Sequence, residues 1–185
     1  MGAQIWGRGK DRVPPLAIRG QHLKGIEYHF PPADTPAPFA QIKSAILLAG
    51  LFATGETVII ESVTSRDHTE RLLLRMGASI KQEGKRVSLK PLTSPLTPLD
   101  IEVPGDISSA AFFLVAGAIH PRAHLRILGV GVNPTRTGLL DVMSSMGADF
   151  KTDNIRDEGG ETVADIEVTS SDLQAVEFGA DILHR

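Results

Sequence analysis

Arg66 stands in Ser65-Arg66-Asp67-His68-Thr69-Glu70, directly before a predicted helix start. A guanidinium in that place can fork onto a carboxylate or a phosphate, or it can pair with Asp67 or Glu70 beside it. Gln41 opens Gln41-Ile42-Lys43-Ser44, the polar end of a long apolar stretch. Its amide can donate and accept at once, which suits the orientation of a hydroxyl-rich ligand, or it can cap its own helix. Lys43 can contribute to an anion site or sit in solvent. Arg136, within Pro134-Thr135-Arg136-Thr137-Gly138, is a further cation at an expected helix start. Asp106, before Ile107-Ser108-Ser109, reads as an N-cap. These positions share one chemistry. Helix starts carry unpaired backbone N–H groups and a positive dipole, so the ligand class they fit is a small anion.

Other chemistries find little support. There are no cysteines, which excludes disulfides and thiolate metal sites. His120 and His124 flank Pro121 outside any helix, and zinc requires three or four ligands, so no metal is expected. No P-loop, dinucleotide fingerprint or Ser-His-Asp set is present, and no cofactor is expected.

The elements that position these residues are legible as a repeat. Met1-Gly2-Ala3, Met76-Gly77-Ala78 and Met146-Gly147-Ala148 are three copies of one phrase. Each reads as a helix end, a glycine in the left-handed region and then a strand. Before the second copy run an apolar helix ending near Leu51, a strand over Thr57–Glu61 and a helix from Asp67, with Asp67 and Glu70 spaced as a capping box. Before the third run a helix over Ser109–Ile119, a strand over Leu125–Leu128 and a helix opened by Asn133 with Pro134 at its first position. Strands at Arg86–Lys90 and Asp165–Thr169 follow the phrases, and Ile101–Val103 is expected to open the last copy. The fold class is therefore α+β, built of β-α-β-α-β-β units and incomplete at both ends. From Ala45 to Leu51 no side chain can hydrogen-bond, so that helix is expected to be buried on every side. Pro31–Pro38 and Pro91–Asp100 read as joints, the second leading to a domain boundary.

A composition of 42% hydrophobic and 22% charged residues belongs to an ordinary soluble protein. No apolar run reaches the ~18 residues a membrane span needs, and the N-terminus has no signal-peptide pattern, so a cytoplasmic protein is expected. The net charge of −3 is uneven. Residues 149–181 are strongly acidic, read as a solvated face, while the remainder is mildly basic, which suits a small anion and not nucleic acid.

Taken in order, Ala40-Gln41-Ile42-Lys43-Ser44, Ser65-Arg66-Asp67-His68-Thr69-Glu70, Val103-Pro104-Gly105-Asp106-Ile107-Ser108-Ser109 and Asn133-Pro134-Thr135-Arg136-Thr137-Gly138 resemble the 5-enolpyruvylshikimate-3-phosphate synthases. The resemblance covers essentially the whole chain. It implies an inside-out α/β barrel of two similar domains, each of three such units with helices inside and sheets outside. Residues 1–102 would be part of the first domain and 103–185 part of the second. The implied reaction moves the enolpyruvyl group of phosphoenolpyruvate to the 5-hydroxyl of shikimate 3-phosphate, through a tetrahedral intermediate and without a cofactor. Gln41 and Arg66 match residues that contact shikimate 3-phosphate, and Ala40 matches the middle of a Ser-Ala-Gln or Ser-Ser-Gln triplet. Phe39 stands where that triplet has its first serine, and Asp34–Pro38 looks inserted, leaving Thr35 or Ser65 as substitute hydroxyls. No catalytic residue is carried over. The family's early Gly-Ser-Lys-Ser segment and its later aspartate, lysine and arginine groups have no counterpart here, so the chain would need the remainder of its own two domains. The sister transferase acting on UDP-N-acetylglucosamine and an inactive repeat fragment are the competing readings.

Overall fold

The computed structural model describes residues 1–32, 39–179 and 182. The chain forms two compact units: Met1–Val63 with Met76–Thr97, and Thr64–Arg75 with Pro98–Arg185.

The first unit opens with a hairpin of β1 (Gln4–Gly7) and β2 (Val13–Arg19), joined through α1 (Arg8–Asp11). Gly9 and Lys10 sit in the left-handed region, so α1 is a tight turn more than a helix. A four-stranded sheet follows in the order β3-β4-β6-β5, from β3 (Glu27–His29), β4 (Thr57–Ile60), β5 (Ile80–Glu83) and β6 (Arg86–Leu89). β3 and β4 run parallel, and α2 (Phe39–Gly50) makes the connection between them. Counting α3 (His68–Arg75), the order β3-α2-β4-α3-β5-β6 is the expected β-α-β-α-β-β unit. Its opening strand β3 has no counterpart in the sequence reading. α2 buries Phe39, Lys43, Leu47 and Gly50, one face at helical spacing. Phe30 bridges Tyr28 and Phe39 by two edge-to-face contacts, with centroids 5.3 and 5.2 Å apart.

The second unit contains α3, α4 (Ile107–Ile119), α5 (Gly138–Ser145) and a sheet in the order β7-β9-β8. Its strands are β7 (His124–Gly131), β8 (Phe150–Glu158) and β9 (Glu161–Thr169), all antiparallel. Gly159 and Gly160 close the β8–β9 hairpin with φ of 63° and 96°, the two left-handed positions a two-residue turn needs. The core joins Ile107, Ala110, Leu114 and Ala118 of α4 to Leu140 and Met143 of α5 and to Ile166 and Val168 of β9.

The glycine of every Met-Gly-Ala phrase is left-handed, Gly2, Gly77 and Gly147 having φ of 88°, 87° and 86°, and the second and third follow the ends of α3 and of α5. At the third, the Gly147 N–H donates to Ser144 O and the Ala148 N–H to Met143 O, a paired closure of the helix end.

Three expectations fail. Ile101–Val103 is not a strand; only Gly105 makes an isolated bridge, to Val130. Asn133-Pro134 does not open a helix. Residues 134–136 form a turn and α5 begins at Gly138, because the Asn133 side chain is held by its own turn and by distant carboxylates. The apolar helices are not buried on every side. Leu48 is 51% exposed on α2, and Phe112 and Phe113 are 79% and 62% exposed on α4. One face of each helix is packed, and the described residues lay nothing over the other. The stretch Asp34–Pro38, with Thr35, lies outside the described residues, as do Leu183–Arg185.

Candidate functional site

α2 places Ala40 and Gln41 in its first turn, within the first unit. Ala40 is half-buried and Gln41 exposed. Among the described residues Gln41 has no hydrogen-bond partner, so it does not cap its own helix. Phe39 is a core residue packed against Phe30. Lys43 is neither solvated nor an open anion contact: its ammonium lies 3.1 Å from Glu61 Oε1, with both side chains essentially out of water.

Ser65 and Arg66 lie in the second unit, before α3. Ser65 is buried and Arg66 exposed. Arg66 does not pair with Asp67 or Glu70 and, among the described residues, has no partner. Asp67 accepts the first helical bond of α3, from the Arg71 N–H, through its carbonyl. Its carboxylate is taken by Arg71 Nε at 2.9 Å and by Asn133 Nδ2 at 2.7 Å. Burial raises the Asp67 pKa, but the Arg71 ion pair and the Asn133 hydrogen bond outweigh it and hold the group below the ordinary aspartate value. His68 Nδ1 is 2.7 Å from Glu161 Oε1, and Arg71 Nη1 donates to the Gly160 carbonyl at 3.3 Å.

Asp106 is the N-cap of α4, as expected, accepting from the Ser108 N–H at 3.2 Å. Its other neighbour is Arg136, whose Nη2 lies 2.8 Å from Asp106 Oδ1 and also donates to Ser108 Oγ. Arg136 is thereby bound to the start of α4. A pocket opens here, with His68, Asp106, Arg136 and Glu161 as its polar lining and Pro104, Gly105, Ile107 and Gly131 around them. None of Ala40, Gln41, Ser65 or Arg66 lines it. His68 and Glu161 were not singled out by the sequence, since the first sits among stronger motifs and the second in an acidic run.

That acidic run is only partly a solvated face. Asp153 and Asp165 accept from Arg126 Nη2 at 2.6 and 3.2 Å, and Glu167 accepts from Arg126 Nη1 at 3.3 Å, across the β7-β9-β8 sheet.

Comparison with known proteins gives a consistent picture. The family model for EPSP synthase (3-phosphoshikimate 1-carboxyvinyltransferase) matches residues 1–180. A 3-phosphoshikimate 1-carboxyvinyltransferase of Citrifermentans bemidjiense is 54% identical over all of this chain, which spans 42% of that relative. One from Bacillus cereus is 51% identical with the same coverage. The solved structure of EPSP synthase from Acinetobacter baumannii superposes with a TM-score of 0.84 at 46% identity, over 99% of this chain and 40% of that one. No described helix is long and apolar enough to cross a membrane. With repeat unit, motifs, whole-chain identity and superposition in agreement, this chain belongs to the EPSP synthase family, of whose curated members it spans about 42%.

Proposed function

We propose that this chain supplies part of the shikimate 3-phosphate site of an enzyme that transfers the enolpyruvyl group of phosphoenolpyruvate to the 5-hydroxyl of that cyclohexene carboxylic acid. One observation carries the reading. Gln41 and Arg66, the two residues matched to substrate contacts, are exposed and, among the described residues, have no hydrogen-bond or ion-pair partner, while Lys43, Asp67, Arg71 and Arg136 are each committed to an internal partner. An unpaired guanidinium before a helix start fits a phosphate or carboxylate, with two N–H groups and the dipole acting together. Gln41 suits a hydroxyl, since its amide can donate and accept. Ala40 offers only backbone, and Ser65 a hydroxyl in a buried place.

In such a site these residues bind and orient; they do not move the proton. The 5-hydroxyl oxygen adds to C2 of phosphoenolpyruvate as the hydroxyl loses its proton and C3 gains one, and loss of inorganic phosphate together with a C3 proton from the tetrahedral adduct restores the double bond. No residue of this chain is assigned that chemistry. A cytoplasmic setting goes with this reading, because both substrates are multiply anionic and do not cross a bilayer unaided.

The test is calorimetric titration of shikimate 3-phosphate into full-length enzyme carrying residues 1–185. Arg66→Ala is expected to weaken binding by roughly 1.5–3 kcal/mol, the scale of a charged hydrogen bond. An unchanged dissociation constant would remove Arg66 from the site.

A further inference from the structure

Asn133 is 1% exposed, and its side-chain amide is fully used. Oδ1 accepts from the Thr135 N–H at 2.9 Å and from Thr135 Oγ1 at 2.8 Å. Nδ2 donates to Asp67 Oδ1 at 2.7 Å and to Glu161 Oε2 at 3.1 Å. Two donors and two acceptor sites exhaust what an amide can offer.

The acceptor half is local turn chemistry, which aspartate performs equally well. It does not explain why an amide stands there. The donor half does. A carboxylate at 133 would face Asp67 and Glu161 with no proton to offer, so the requirement for N–H comes from the start of α3. That start is held on each side. Asp67 is fixed by Asn133 and Arg71, His68 by Glu161, and Arg71 also reaches the Gly160 carbonyl. Arg66 is the next residue back along the chain, one ~3.8 Å Cα step from Asp67. It is exposed and, among the described residues, has no hydrogen bond or ion pair of its own, so its place is set by the residue that follows it.

We propose that Asn133 is a positioning residue for Arg66, acting through Asp67 to fix the backbone from which the Arg66 guanidinium reaches substrate. This rests on the assignment of Arg66 to the shikimate 3-phosphate site. Displacing a binding group by about 1 Å from a distance can cost on the order of a hundredfold in rate, so a loosened α3 start has a readable effect.

The experiment is a double-mutant cycle in full-length enzyme carrying residues 1–185, with shikimate 3-phosphate as titrant and melting temperature followed in parallel. Asn133→Asp keeps the Thr135 contacts and removes both donors. It is expected to weaken binding about tenfold, and by less than about twofold once Arg66→Ala is present, because no guanidinium remains to be misplaced. Asn133→Ser makes the same comparison without adding a charge if Asn133→Asp does not fold. Equal losses with and without Arg66 would show a merely structural role and overturn the proposal, as would unchanged affinity in both Asn133 variants while Arg66→Ala alone binds weakly. If Arg66→Ala itself leaves affinity unchanged, the assignment of Arg66 fails and this inference falls with it.

Discussion

The Lys43 ammonium nitrogen lies 3.1 Å from Glu61 Oε1, with side-chain exposures of 0% and 1%. The contact ties the middle of α2 to the residue just after β4, inside the first unit. Taking two charges out of water costs several kcal/mol per ion, offset only while the pair is intact. Lys43→Met is therefore expected to destabilise the protein by about 3–5 kcal/mol by stranding the Glu61 charge. Pairing it with Glu61→Leu should recover much of that loss. Urea denaturation of both variants measures the difference, and a Lys43→Met protein as stable as wild type would show that the buried charges are not coupled.

Phe39 concerns the same helix. Replacing it by serine would put a hydroxyl beside Ala40, yet Phe39 packs edge-to-face on Phe30 in the core of the first unit. Phe39→Ser is expected to cost about 3–5 kcal/mol of stability, on the scale of aromatic truncation in a core. Any gain of one neutral hydrogen bond to substrate, about 1 kcal/mol, is smaller. Thermal melts alongside titration of shikimate 3-phosphate separate the two effects. A variant that binds more tightly with an unchanged melting temperature would contradict this weighing.

What the sequence disclosed and what it hid follow from how local each cause is. The left-handed Gly2, Gly77 and Gly147 and the Asp106 cap depend on neighbours a few residues away, and each was legible. Lys43 was not, because its partner arrives from the end of a strand. Asn133 followed by proline has the look of a helix start, but its donors are spent on Asp67, 66 residues earlier, and on Glu161. The nine-residue β8 and β9 were obscured by acids that make sense only once Arg126 crosses the sheet to meet them. The expected site is legible as residue types. Its supporting network is a product of tertiary structure, as non-local contacts must be.

Asp67 gives a pH signature. Its folded pKa lies below the ordinary 3.8, because the Arg71 ion pair and the Asn133 hydrogen bond outweigh burial. A carboxyl with a depressed folded pKa contributes stability that is fully present above its unfolded value and lost as pH falls through the folded one. The melting-temperature gap between wild type and Asp67→Asn is thus expected to be constant from neutral pH down to about pH 5 and to shrink below the ordinary aspartate value. A gap that widens on acidification would reverse the sign and rule out the stabilising role of the charged form.

The exposed faces of α2 and α4 bear on how this segment behaves by itself. Phe112, Phe113 and Ile119 on α4 are 79%, 62% and 63% exposed, and Phe52, just past α2, is 76% exposed. Contiguous apolar surface beyond a few hundred Å² is rare on a monomeric soluble protein and drives association. At ~25 cal/mol per Å², burying even part of several aromatic side chains outweighs the surface polarity that keeps the rest dispersed. Residues 1–185 purified alone are therefore expected to self-associate and to release no phosphate from phosphoenolpyruvate with shikimate 3-phosphate, since the chain spans only 42% of its curated relatives. Substituting Phe112 and Phe113 by Lys should restore a monomer in sedimentation velocity without creating turnover. A strictly monomeric wild-type chain with a sharp two-state melt would mean that the α4 face is covered by rearrangement within the chain itself.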